Sequence, residues 1–222
     1  MMCSMNLRIL SVNIGRARVI GTVHGEDVLS GIDKKAMGVE TAYVGALGIE
    51  GDEQADLTVH GGVDKAVYAY PSENWPWWVT EKGIACRPAT FGENLTLEGA
   101  DENNVAIGDR FRWGDVVLEV SQPRAPCYKL GLHTGRPDAP QLMTLSARCG
   151  WYFRVVDAGN APAHDAALER ITKSDAPTVR ETFVALFGRG IDADAQLRAR
   201  DTPQLAESWR HAISARIGAS RR

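Results

Sequence analysis

Glycine recurs at positions 31, 38, 45, 48 and 51, among short runs whose residues favour extended backbone. Residues 7–12, 18–21 and 26–32 are three such runs, the first two followed by their own glycine corners. Turns this closely spaced leave no room for the regular crossover helices that a doubly wound parallel sheet requires. A β-rich domain with many tight, positive-φ corners is the expected class. At 222 residues the chain fits one sizeable domain, or one of about 150–170 residues with a small appendage.

Residues 121–130 (Ser-Gln-Pro-Arg-Ala-Pro-Cys-Tyr-Lys-Leu) follow the apolar strand-like run 116–120. Pro123 and Pro126 fix their own φ and push the preceding residues toward extended backbone, which predicts a stiff, non-helical presentation loop. Arg124 and Lys129 place Cys127 in positive potential, favouring the thiolate that a soft metal or a nucleophilic mechanism needs. The alternative is a cysteine buried in an ordinary turn. Cys3, Cys86 and Cys149 are scattered and form no CxxC pair, so a zinc motif is excluded.

The other chemistry-bearing segments are glycine turns. Gly61 and Gly62 after His60 let backbone amides approach an anion, with Lys65 adding charge, although Gly-Gly before a strand also serves as a plain corner. Asp52, Asp56 and Asp64 match no calcium loop and read as turn and capping residues. Asn94, in Phe91-Gly92-Glu93-Asn94, offers donors and an acceptor to a heterocycle edge, or closes an Asx turn. Asn74 should cap a short helix carrying Trp75, Trp77 and Trp78. Residues 105–118 read as three strands with a hairpin tip at Gly114-Asp115, residues 138–150 as a helix, and residues 150–156 as the last strand. From about Leu168 the pattern turns helical. Thr178 with Glu181 makes a capping box before Val179, Phe183 and Phe187, 191–198 is a second helix, and Thr202-Pro203 opens a third with Leu205, Trp209, Ile213 and Ile217 in one stripe.

Gly48–Asp56, His60–Tyr70, Phe91–Leu95, Gly108–Gly114, Ser121–Leu130 and Gly150–Val155, in that order, resemble the MOSC family, the sulfurase-C-terminal-type molybdenum-cofactor domain, in its YiiM-like branch. The 31–37 stretch is less typical and assigns no role to Lys34 or Lys35. The resemblance implies a β-rich α+β fold: a MOSC β-barrel-like domain over 1–167, then a three-helix "3-alpha" domain over 168–222. It implies a molybdopterin-type cofactor with Cys127 as metal ligand, and reduction of N-hydroxylated compounds such as hydroxylaminopurine-type base analogues to amino compounds, a detoxification. Arg124, Lys65 and the amides of Gly61 and Gly62 would hold the cofactor phosphate, and Gln122 and Asn94 would read pterin edges. His60 would position the cofactor or relay a proton. Without a flavin or nicotinamide motif, electrons would come from a separate reductase.

Two rivals stay open: a metal-free thiol enzyme using Cys127 and His60, and a carrier module that binds the cofactor without turnover. A net charge of −3 and the lack of a recognition motif argue against a nucleic-acid polymer as partner. No apolar run approaches the ~18–20 residues of a membrane span, and a strand-like start without a secretory core predicts the cytoplasm. The oligomeric state is open, a homodimer included.

Overall fold

The computed structural model describes residues 5–56 and 61–220. In chain order the strands are β1 (Asn6–Ile14), β2 (Arg18–Val23), β3 (Glu26–Ser30), β4 (Lys35–Ala36), β5 (Thr41–Gly45), β6 (Gly48–Ile49) and β7 (Val67–Pro71). Helix α1 (Trp75–Lys82) leads to β8 (Leu95–Glu98), β9 (Arg110–Trp113) and β10 (Val116–Pro123). Helices α2 (Lys129–Thr134) and α3 (Ala139–Ser146) precede β11 (Trp151–Asp157), β12 (Gly159–Pro162) and β13 (Ala167–Thr172). Helices α4 (Val179–Phe187), α5 (Ala193–Arg200) and α6 (Glu207–Ser220) complete the chain.

Seven strands close a barrel in the order β13-β9-β10-β11-β7-β8-β1, and β1 pairs back with β13 through Leu7 and Leu168. Closure leaves the ring without a free edge, and β4 adds to β1 outside it. Every pairing in the ring is antiparallel except β7 with β8. A parallel neighbour demands a crossover, and residues 72–94, with α1 in them, supply it. Phe111, Trp113, Trp151 and Phe153 fill the interior, Phe111 meeting Phe153 edge to face at 5.8 Å.

Strand β10 is buried along its whole length. One of its faces lines the barrel, and α4 packs on the outside. The Ala206 N–H donates to the Ser121 carbonyl at 3.0 Å, so the C-terminal helices are fastened to the strand that carries the cysteine loop. The expected capping box is present: the Glu181 N–H donates to Thr178 Oγ1 at 3.1 Å and the Thr178 N–H to Glu181 at 2.8 Å. Leu205, Trp209, Ile213 and Ile217 are buried as one stripe.

Several expectations give way. The helical character placed from Leu168 begins at Val179, because residues 167–172 are the barrel's closing strand. Residues 150–156 are therefore not the last strand. Residues 105–107 make only an isolated bridge, Ala106 to Thr178, rather than a strand of their own. Residues 202–206 form turns, and the third helix starts at Glu207. Asn74 makes no side-chain cap to α1; its amide donates to the buried Glu102 at 2.9 Å instead.

Candidate functional site

Residues 124–128 carry Cys127 from the end of β10 into α2, so the loop turns helical at Lys129 rather than staying extended through Leu130. Two backbone bonds fix it: Arg124 N–H to the Gly150 carbonyl at 3.3 Å, and Leu130 N–H to the Cys127 carbonyl at 3.1 Å. Gly150 permits the approach of chains behind the loop. It has φ +65°, and a Cβ there would sit 2.3 Å from the Ala69 carbonyl oxygen. Lys129 Nζ donates to the Leu29 carbonyl at 2.9 Å and ties the loop to β3.

Cys127 is half-buried and lines a cavity at one end of the barrel. Arg124 stands beside it, buried to 6% exposure, its guanidinium carbon 5.4 Å from the centre of the Tyr68 ring and Nη1 3.2 Å from Met143 Sδ. No carboxylate among the described residues forms an ion pair with it. A buried cation without a carboxylate partner is costly, and an anion in the cavity would offset that cost. Tyr68 and Tyr152 face the same space; burial pushes both phenols up, so they are neutral donors.

Gly61 and Lys65 line the same cavity. Gly61 and Gly62 have φ of +95° and +88°, a backbone open to glycine alone in practice. Arg154 Nε donates to Asp64 at 2.8 Å and Ser121 Oγ reaches the Asp64 carbonyl at 2.6 Å, which sets the turn that ends at Lys65. Burial lowers the Lys65 pKa, partly opposed by Asp64.

Other site residues land differently. Gln122 is buried, but it is not part of the cavity wall, and its Oε1 has no hydrogen-bond partner. Asn94 does line the cavity, yet its amide is already engaged. Oδ1 accepts from the Tyr68 N–H at 3.1 Å, while Nδ2 donates to the Asn13 carbonyl at 3.1 Å and to Asp52 at 2.9 Å. It braces the wall instead of presenting an edge to a heterocycle. Gly62 also stands off the wall, and His60 lies outside the described residues.

The residues that sequence reasoning missed are Lys34 and Asp52. Asp52, read as a turn residue, is a buried carboxylate that pairs with Lys34 and accepts the Gly15 N–H at 2.8 Å. Burial lowers the Lys34 pKa, and Asp52 partly restores it. The only signal for either was Asp52's place inside the Gly48–Asp56 block.

Glu93, beside Asn94, supports the other side of this wall. It is fully buried and accepts from the Ala89 N–H at 2.8 Å, the Phe91 N–H at 3.0 Å and Thr96 Oγ1 at 2.8 Å. Burial raises its pKa from 4.5 to about 7, against those three bonds. The folded protein thus holds the proton more tightly than the unfolded chain does. The resulting stability is fully present below about pH 4.5 and is lost as the pH rises through about 7. Unfolding free energies from denaturant titrations at pH 5 and pH 8 should differ more for the native protein than for Glu93→Gln, by up to about 3 kcal/mol. Equal differences would contradict the assignment.

Among the described residues no helix is long and apolar enough to cross a membrane. The MOSC domain profile matches residues 56–168. Protein YiiM of Escherichia coli (strain K12) is 40% identical over 174 residues, 77% of each chain. A protein of Gibberella moniliformis named "Reductase" is 36% identical over 156 residues, 68% of this chain and 27% of that one. The crystal structure of YiiM from Geobacillus stearothermophilus superposes with a TM-score of 0.78 at 30% identity, covering 95% of this chain and 99% of that one.

Proposed function

The chain belongs to the MOSC domain family, and on that premise we propose that it is an oxidoreductase that reduces N-hydroxylated compounds to amino compounds with a molybdenum cofactor held at Cys127. Hydroxylaminopurine-type base analogues are the substrate class. The observation that carries this reading is the position of Cys127 in a cavity it shares with the buried, carboxylate-free Arg124. The residues present fit such a group. A thiol supplies a soft ligand for molybdenum, and Arg124 and Lys65 supply charge for a phosphate. Among the described residues no three His, Cys, Asp or Glu side chains gather as a metal site. A pterin-type cofactor, which brings its own further ligands to a metal, suits a site with a single thiol.

When bound, that cofactor supplies the two electrons that no side chain here can supply. The balance is R–NH–OH plus two electrons and two protons giving R–NH2 and water. The protein's part is positional. Cys127 would ligate the metal, Arg124 and Lys65 would supply charge to the phosphate, and the paired Lys34 and Asp52 would keep the cavity wall rigid. Tyr152, held neutral, has an O–H to offer a bound ligand, while Tyr68 gives its own to the Cys149 carbonyl at 2.9 Å and holds its ring against Arg124. His60 is the proposed proton relay to the departing hydroxyl, imidazole being the side chain suited to proton transfer near neutral pH. A separate reductase in the same cytoplasmic compartment delivers the electrons.

The test is to purify the chain from cells that make the cofactor, measure molybdenum per chain, and supply a chemical electron donor with 6-hydroxylaminopurine. The expected result is near-stoichiometric metal and formation of the aminopurine. Metal-free protein that turns over equally well points to thiol chemistry, and loaded protein without turnover points to a carrier; either outcome overturns the reading.

A further inference from the structure

A second cavity lies beside the first, and nothing in the proposed reduction uses it. Its volume is about 240 Å³, and it shares Lys34 as a wall with the cysteine cavity. The residues after α1 form one side, with Arg87 and Thr90, and the C-terminal end of α2 forms the other, with His133. That helix begins two residues after Cys127 and so spans from one cavity to the other.

The charges in and around this cavity are not balanced. Asp33 pairs with Arg18, Asp138 takes the Arg136 guanidinium at 2.9 and 3.0 Å, and Asp52 takes Lys34. Arg87 is left over, exposed, with no carboxylate and no side-chain hydrogen bond among the described residues. His133 is lowered below its usual pKa, first by burial and then by the charges of Arg87, Arg18 and Arg124, against a hydrogen bond with the Ala89 backbone. A neutral imidazole among guanidinium groups and an unpaired arginine make a site that lacks an anion. The loop between them is also held in a costly shape. Ala89 has φ +67°, rare for a residue with a side chain, and its N–H is pinned by the buried Glu93.

We propose that this cavity binds the phosphomonoester of a substrate whose base lies in the cysteine cavity, so that the protein acts on nucleotides in preference to free bases. The inference rests on the reduction reading for its chemistry but not for its binding. Arg124 and Lys65 are already assigned to the cofactor's phosphate, which leaves Arg87 and His133 for a second one.

Binding is tested on the metal-free full chain, by calorimetry with adenosine 5′-monophosphate, adenosine and inorganic phosphate. The nucleotide should bind at least tenfold more tightly than the nucleoside. Arg87→Ala should remove that advantage, Lys65→Ala should not, and the His133 resonance should titrate at higher pH with nucleotide present. Equal affinity for nucleotide and nucleoside overturns the proposal. So does loss of binding in Lys65→Ala alone, or loss of nucleotide binding once the cofactor is loaded, which would give the pocket to the cofactor. On loaded enzyme, kcat/KM for an N-hydroxylated nucleoside monophosphate should exceed that for its nucleoside, with the ratio falling toward one in Arg87→Ala. Equal reduction of both by the native protein sinks the nucleotide preference and leaves the reduction reading standing. Reduction of neither, with nucleotide binding intact, sinks the reduction reading instead.

Discussion

Replacing Cys127 with alanine should remove molybdenum and N-hydroxy reduction together while leaving the protein folded. Changes in outer partners of a metal ligand cost roughly 10–100-fold, so loss of the ligand itself should exceed that range. The fold should not suffer, because the side chain is half-buried and the loop is held by its backbone and by Lys129. A stability change within about 0.5 kcal/mol is expected. The other two described cysteines provide the contrast. Burial pushes the Cys86 thiol up to about 12 and the Cys149 thiol well above its ordinary value, so neither is a thiolate at neutral pH. Cys86→Ala should keep its metal. Mass spectrometric metal analysis beside a reduction assay decides the matter, and Cys127→Ala retaining native metal would remove the residue from its role.

The second large effect is expected at Asp52. Alanine there leaves the Lys34 ammonium buried without its partner, and also strands the Gly15 N–H and one Asn94 donor. Breaking a buried pair from one side costs about 3–5 kcal/mol. Lys34→Met combined with Asp52→Asn keeps the volume and removes both charges, so it should cost markedly less than Asp52→Ala alone. Urea denaturation of the three proteins checks this. If Asp52→Ala unfolds at the native midpoint, the pair is not the brace described above. If the double variant is stable but inactive, the pair acts on the ligand as well as on the wall.

What could be read from the chain was whatever neighbours in sequence decide. The glycine corners before Tyr68 and the Thr178–Glu181 cap each act within a few residues and are found where expected, and the prolines keep 124–127 out of helix until α2 begins at Lys129. The Lys34–Asp52 pair joins two loops with β4 to β6 between them, and no local pattern announces a partner eighteen residues away. Asn94 was a fair candidate for ligand recognition until Tyr68, Asn13 and Asp52, from three other segments, took its amide. The strand 167–172 was hidden for a different reason. Leu168-Glu169-Arg170-Ile171 suits a helix as well as a strand, and only the vacancy between β1 and β9 makes it a strand. Helix α2 has six residues, too few for a periodic signal to emerge after Pro126.

The pairing of Leu7 with Leu168 bears on how the molecule is made. A ring whose first strand is sealed by its last cannot be completed until nearly the whole barrel sequence has left the ribosome. Until then β1 presents an unsatisfied edge, and contacts this distant in sequence form slowly. The nascent protein is thus most exposed to misassociation just before the final strand arrives. Chaperone dependence during synthesis should exceed that of the finished barrel, whose edges are closed.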